Sequence, residues 1–284
     1  MSTSSINNSF SQINSSTVGD WAQSNTIGSQ IILGIAIVIV IYILVALITY
    51  VFQKYMNVVY SKPSLINGRW SASVGKTIQQ NPQFKNSTLI RRSVNEKDGI
   101  EFTYMTWLYI DGWENQSTDW KHIFHKGPLF SEPIRQHQEP HEVVEVQAPG
   151  AWLHPDKNSI RIYMNTFENV NTYVDIDNVP ISKWVHLSVV LTQRYLDIYI
   201  NGLLKERKKL YGVPRQNYYN LYISQKSGFN GILSNMKYYN FAIEMYQLST
   251  IISQGPNLKV MEESQKSSKK VDVPYLHEKW WLSM

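Results

Sequence analysis

Hydrophobic and polar residues are unevenly distributed along the chain. Residues 31–52 read IILGIAIVIVIYILVALITYVF, 22 positions without a charge. At 1.5 Å per residue such a helix reaches about 33 Å, enough to cross the hydrocarbon core of a bilayer. Only a helix closes its backbone hydrogen bonds within one spanning segment. A buried core helix is the bland alternative, but such helices are rarely apolar on every face for six turns. A cleaved signal sequence would carry a shorter apolar stretch behind a basic segment. The first thirty residues contain no Lys or Arg. The pattern therefore predicts a transmembrane helix over 31–52, anchored by residues such as Ile31, Leu44, Phe52 and Tyr55.

From Val94 the period changes. Residues 100–110, IEFTYMTWLYI, are dense in β-formers, and 160–164, IRIYM, alternate. In 184–191, Val185, Leu187, Val189 and Leu191 share one face, as do Leu196, Ile198 and Ile200 in the next run. That run reaches Asn201-Gly202, a strong hairpin signal because both turn residues need positive φ. Residues 220–224 and 231–239 read as further strands, and 243–252 as one short helix. Asp175-Ile-Asp177, just before a Pro-containing stretch, reads as a loop. Many short strands with no long amphipathic helix indicate a mainly β, antiparallel sandwich over 94–255.

The flanking segments differ from both. Residues 1–30 are rich in Ser and Asn and have little to bury. Residues 53–93 show no strong period and read as a connector. After Pro256 a polar stretch, 262–270, leads into an aromatic end containing Tyr275, Leu276, Trp280 and Trp281. Apolar ends are poorly tolerated in water, so this tail (256–284) is expected to dock. Its own domain, a neighbouring protein and the bilayer interface are the three choices. The rigid, amphipathic Trp and Tyr rings favour a partner protein.

Charge sets the direction of the span. The net charge is +5, but seven basic residues and no acidic one lie between Lys54 and Arg92. They are Lys54, Lys62, Arg69, Lys76, Lys85, Arg91 and Arg92. Basic residues close to a span are retained on the cytoplasmic side. The expectation is that the N-terminal tail crosses the membrane and the C-terminal domain stays cytosolic. The basic connector either only fixes this topology or also meets anionic lipid headgroups. Cys is absent from the 284 residues, which excludes disulfides, thiolate metal sites and a Cys nucleophile. Aromatic residues make up 13%, too many for a disordered chain and suited to pleated sheets.

Several strings resemble a known superfamily. Trp184-Val-His-Leu-Ser-Val-Val-Leu followed by Leu196-Asp-Ile-Tyr-Ile-Asn-Gly202 looks like the paired central strands of the concanavalin A-like lectin/glucanase fold, in its laminin-G-like branch. Phe229-Asn-Gly-Ile-Leu-Ser-Asn-Met-Lys-Tyr-Tyr-Asn240 is similar to the closing strand of that branch, and Phe102-Thr-Tyr-Met-Thr-Trp107 to an early core strand. Pro149-Gly-Ala-Trp-Leu-His-Pro155, Asn158-Ser-Ile-Arg-Ile and Val179-Pro-Ile-Ser-Lys-Trp184 also resemble laminin-G-like proteins of large DNA viruses. Some of those are membrane-anchored virion components. The resemblance implies a jelly-roll sandwich and, through its viral branch, a minor capsid protein that links an internal membrane to the shell.

Catalytic and ligand chemistry is sparse. Glycoside hydrolysis needs two carboxylates flanking the bond, and the Glu-x-Asp-x-Glu pattern of the superfamily's hydrolases is missing. Asp175 and Asp177 have the spacing; Glu139, Glu142 and Glu145 read as an exposed loop. His122 with His125, and His137 with His141, lack the third ligand and the frame a zinc site requires. No metal or other cofactor is expected. The resemblance leaves calcium open, with Asp111, Asp119, Asp156 and Asp177 as candidates. Trp113, Trp120 and Trp152 are candidates for a carbohydrate platform, although sandwich core is the commoner fate of Trp. Lys205-Glu-Arg-Lys-Lys209 reads as a solvated hairpin edge.

Three functions follow. The leading one is a non-enzymatic, membrane-anchored structural protein that binds the bilayer and other proteins, those of a capsid or virion, with no nucleic-acid partner. The others are a carbohydrate-binding membrane lectin or adhesion protein and a membrane-tethered glycoside hydrolase.

Overall fold

The computed structural model describes residues 27–93, 95–96, 99–112 and 118–261. The chain divides between Val58 and Val59 into two compact units. The expected sites at Trp113, Tyr275, Trp280 and Trp281, with the N-terminal tail to residue 26, lie outside the described residues.

Helix α1 spans Ile27–Ser61, 35 residues, longer than the apolar run because nothing in 53–60 stops a helix. Ile31, Leu44, Phe52 and Tyr55 all lie on it, and residues 31–52 are exposed throughout. An apolar helix that none of the described residues covers on any face is suited to lipid rather than water. It is the one described helix long and apolar enough to cross a membrane. Lys54 follows the uncharged run on the same helix.

The second unit is a sandwich of two antiparallel sheets. The seven-stranded sheet runs β1 (Arg69–Ser71), β13 (Gly231–Tyr239), β4 (Gly99–Ile110), β9 (Trp184–Thr192), β10 (Tyr195–Ile200) and β11 (Leu203–Lys209), with β3 (Asn95–Glu96) also paired to β4. The six-stranded sheet runs β2 (Lys76–Ile78), β12 (Leu221–Ile223), β5 (Lys121–Lys126), β6 (Gly150–Leu153), β7 (Ser159–Tyr163) and β8 (Tyr173–Asp177).

Alternation places Val185, Leu187, Val189 and Leu191 of β9, and Leu196, Ile198 and Ile200 of β10, in the core between the sheets. The opposite face of the seven-stranded sheet is also covered. Met105, Val190, Tyr199 and Tyr239 pack there with Leu248 of α3 (Met245–Ser253). The β10–β11 hairpin turns at Asn201 and Gly202, with φ of 52° and 80°. Positive φ at both positions is what an Asn-Gly turn supplies. Strand β11 is an exposed edge that carries Lys205, Arg207, Lys208 and Lys209, charges that block edge pairing.

Two expectations need correction. The stretch 53–93 is not only a connector. After α1, Leu65 and Ile66 are buried, and their N–H groups both donate to the Met236 carbonyl, where β13 is irregular. Strand β1 then pairs with β13, and β2 with β12. Sheet structure thus begins well before residue 94. Three-residue strands alternate too briefly to show a period, and each opens on one of the basic residues that suggested a linker, exposed Arg69 and half-buried Lys76. Arg69 lies on β1 and Lys76 on β2, with the Lys76 ammonium 4.5 Å from the Trp70 ring centre. Lys62 is exposed just after α1. The second correction is Asp175-Ile-Asp177, which ends strand β8 and is not a loop.

Candidate ligand-binding cleft

Arg91 and Arg92 end a segment that runs beside β2, and one buried side chain fixes it. Gln80 donates its amide N–H groups to the carbonyls of Ile78 and Thr88, at 3.2 and 3.0 Å. Its amide oxygen accepts the N–H of Ile90 at 2.8 Å. The segment 81–90 is therefore closed as a loop across Gln80, and Arg91 and Arg92 emerge beside the edge of the six-stranded sheet. Facing them is the segment that enters β12. Asn217 donates to the Lys126 carbonyl at 2.9 Å, and Gln80 N–H donates to the Asn220 side chain at 3.0 Å.

Between the two segments lies a cleft of about 680 Å³, lined by Leu89, Arg91, Arg92, Lys126, Tyr218 and Tyr219 among others. No carboxylate lines it among the described residues. The Arg92 guanidinium donates to Gln216 and to the Tyr218 hydroxyl, both at 3.3 Å, and sits 5.4 Å from the Tyr218 ring centre. Tyr218 and Tyr219 are 76% and 51% exposed. Lys126 is only 4% exposed, and its ammonium donates to the carbonyls of Asn217, at 3.2 Å, and Tyr219. Burial pushes its pKa down to about 7. Among the described residues no carboxylate comes within ion-pair distance of Lys126 or Arg92. The cleft thus offers aromatic faces together with Arg92 and Lys126, whose partners among the described residues are neutral, an arrangement suited to an anion with an apolar portion.

This fold can be matched to known proteins. The family described as the concanavalin A-like lectin/glucanases superfamily matches residues 85–249, more than half of the chain. The chain belongs to that superfamily. Among solved structures, the receptor-binding domain of botulinum neurotoxin D is similar at 12% identity, over 69% of this chain and 48% of that one, with a TM-score of 0.45. The serotype D ligand-binding domain in complex with N-acetylneuraminic acid aligns at 11% identity over 69% and 47%, with a TM-score of 0.48. Trypanosoma rangeli sialidase aligns at 13% identity over 68% and 28%, with a TM-score of 0.44. The chain spans about half the length of the neurotoxin domains or less, and the likeness at these identities is one of fold. A comparison with curated proteins gives no match.

The remaining candidates lie elsewhere in this concanavalin A-like sandwich. Trp120 and Trp152 are 5% and 0% exposed, packed with Phe130, Ile134, Val144 and Tyr163. The indole N–H of Trp152 donates to Gln147 at 2.6 Å. Neither ring offers an open face, which removes both from the expected sugar platform. The tyrosines at 218 and 219 escaped the sequence reading because a Tyr pair in a turn carries no period, and nothing local shows that Arg92 meets it.

Asp175 is held by Arg161 through two hydrogen bonds of 2.7 and 2.8 Å, and Arg161 also meets Glu139. Asp175 is thereby half of a structural ion pair, not a free acid or nucleophile. Glu139 accepts from the Tyr163 hydroxyl at 3.0 Å and caps the short helix α2 (Pro140–Val143) in a capping box with Glu142. His122 and His125 form a closed relay. The Gln225 N–H donates to His122 Nδ1 at 2.9 Å, so the proton of neutral His122 is on Nε2. That proton faces His125 Nδ1 at 2.7 Å, and His125 Nε2–H donates to the Pro128 carbonyl at 2.9 Å. Burial holds both imidazoles below the ordinary 6.5, His125 at about 4. Every ring nitrogen is engaged, which leaves no lone pair for a metal. No group of three His, Cys, Asp or Glu among the described residues is placed to hold a metal ion, so the four candidate calcium aspartates do not converge. His186 is buried on β9, 3.1 Å from the Ser188 hydroxyl and edge-on to Trp107.

Proposed function

We propose that this protein is a non-enzymatic, single-span membrane protein whose concanavalin A-like sandwich is a recognition module on the cytosolic side. The observation that carries the reading is α1, 35 residues with an uncharged, fully exposed run of 22, followed at once by basic residues. The side of the sandwich follows from that flank. The absence of an enzymatic role is supported by Asp175, which is committed to Arg161. The common retaining and inverting mechanisms of glycosidic hydrolysis use two carboxyl groups across the bond. The likeness of 149–155, 158–162 and 179–184 to laminin-G-like proteins of large DNA viruses favours a setting on an internal virion membrane beneath a capsid. Other virion proteins are then its partners, with Tyr275, Trp280 and Trp281 as docking residues.

A carbohydrate-binding membrane lectin is the second reading, favoured by the superfamily. The basic flank of the span opposes it, because such a lectin would have its sandwich outside the cell. The test of the non-enzymatic role is a turnover assay of the full-length protein on β-glucans and sialosides. No hydrolysis is expected. Hydrolysis that disappears in Asp177→Asn would overturn the reading.

A further inference from the structure

Strand β5 carries two buried histidines whose cover is thinly attached. Trp152 and Tyr163 alternate with Ala151, Leu153 and Ile162, which lie between the sheets, so they point from the outer face of the six-stranded sheet. His122 and His125 pack against Trp152 there, with ring centres 4.5 and 6.1 Å from it. The strap 128–134 closes over them. At one end the Pro128 carbonyl accepts from His125, and at the other the Ile134 carbonyl accepts from Trp120 N–H at 2.9 Å. Between these ends no backbone hydrogen bond ties the strap to the sheet among the described residues. Leu129, Ser131, Glu132 and Pro133 are exposed, whereas Phe130 and Ile134 are buried. The Phe130 ring lies 5.3 Å from His122, 5.6 Å from His125 and 5.4 Å from Trp152, centre to centre. It is the wedge between the pair and solvent.

The pair has no place for another proton. Its two lone-pair nitrogens already face donors: His122 Nδ1 faces Gln225 N–H, and His125 Nδ1 faces His122 Nε2–H. A proton on either ring sets two N–H donors head to head, and moving the His122 proton to Nδ1 only transfers the conflict to Gln225. Buried, such a conflict is relieved only by water or a new acceptor. The groups around the pair supply neither. Tyr222 of β12 stacks on His125 at 5.3 Å, and β6 brings Trp152. On β5 itself Lys121 is half-buried, and Lys126 turns its ammonium to the carbonyls of Asn217 and Tyr219. Glu132 of the strap and Lys226 beside Gln225 are exposed. Strands β6 and β12 hold β5 by pairing on both sides, so water reaches the rings most readily past the strap.

We infer that the strap 128–134 is an acid-released cover, held shut by the neutral His122–His125 pair and opened when the pair takes up a proton. Release lifts Phe130 and bares both imidazoles and one side of Trp152. The direction follows from linkage. An imidazole freed to water binds its proton near the ordinary 6.5, whereas burial holds His122 below that and His125 at about 4 while the strap is shut. Closure is therefore complete above about pH 6.5 and weakens about tenfold per pH unit for each proton below it.

The chain has no Cys, so one introduced thiol is a unique probe. Ile134→Cys places it under the strap, Leu129→Cys on its exposed side, and Val189→Cys in the core between the sheets. Each full-length variant, in micelles, is labelled with a neutral alkylating reagent at pH 7.5 and pH 5, and Leu129→Cys corrects for the effect of pH on the reagent. The corrected rate at Ile134→Cys should rise about tenfold or more at pH 5. At that pH Val189→Cys should still react more slowly than Ile134→Cys by about tenfold or more, because local opening precedes global unfolding. Adding His125→Gln should weaken the rise, and His122→Gln together with His125→Gln should abolish it. No rise at Ile134→Cys overturns the proposal. Equal rates at Ile134→Cys and Val189→Cys at pH 5 also overturn it, since acid would then open the sandwich as a whole. A full rise in the doubly substituted chain places the trigger outside the pair and overturns it too. If that chain does not fold, His125→Gln decides, and a rise as large as the parent's has the same consequence.

Discussion

Arg161 on β7 and Lys126 on β5 are both buried cations in the six-stranded sheet, 8% and 4% exposed. Their surroundings differ. Arg161 meets Asp175 in a two-pronged pair, touches Glu139, and lies 3.9 Å from the ring centre of Tyr173 and 5.1 Å from that of Trp120. Lys126 meets two carbonyls and a cleft without a carboxylate among the described residues. The first region is closed and satisfied, with its charge spent on holding β7, β8 and α2 together. The second is open, and among the described residues its charge meets only neutral partners. A buried cation is thus a sign of function only when its partners are read with it.

The largest way to break this contrast is to cut into the closed region. Trp152 is fully buried, with its N–H bonded to Gln147. Trp152→Ala should cost about 3–5 kcal/mol of stability, the usual loss for a large buried aromatic. Chemical denaturation of the full-length protein in micelles measures it. A loss under about 1 kcal/mol would mean that this region is not the packed support described.

Acid should act on the same region next. Protonation of His122 at Nδ1 would set it against the Gln225 N–H donor, and protonation of His125 at Nδ1 against the His122 donor. Both folded pKa values lie below the ordinary 6.5, so the unfolded chain takes up these protons first. Stability is therefore complete above about pH 6.5 and falls as pH drops from there through about 4. His186, also held at about 4 by burial and then by Lys237, adds to the same window. Denaturation midpoints at pH 7.5, 6, 5 and 4 check this, and His125→Gln should flatten the decline. A flat profile in the parent protein would contradict the neutral relay.

The smallest effect belongs to the open region. Tyr218 is 76% exposed, so Tyr218→Ala should change stability by no more than about 0.5 kcal/mol. A large loss would make the cleft part of the fold and erase the contrast. Denaturation of the variant beside Trp152→Ala, in the same micelles, measures both sides together.

Much of the fold is legible in the sequence because its strands are long enough to alternate. Strands β4, β9 and β13 lie within a residue of their expected bounds, and β10 leads into the expected turn at Asn201-Gly202. The α1 run is unambiguous because no charge interrupts it. Strands β1 and β2 are hidden because three residues cannot display a period, and their partners β13 and β12 lie some 150 residues away. The cleft is hidden for a related reason. Arg92 and Tyr218 are 126 positions apart and meet only because the loop across Gln80 and the turn before β12 close on the same sheet edge. The basic run was visible as a charge excess. Which of its members face a cavity depends on tertiary packing.

The central claim is that α1 crosses a membrane and leaves the sandwich on the basic side of it. Protease protection of the full-length protein inserted into sealed, cytosol-side-out vesicles tests this most directly. The account predicts that added protease removes the sandwich, residues 59–261, and leaves a protected fragment that contains residues 31–52. A sandwich that stays intact until detergent opens the vesicles would contradict it.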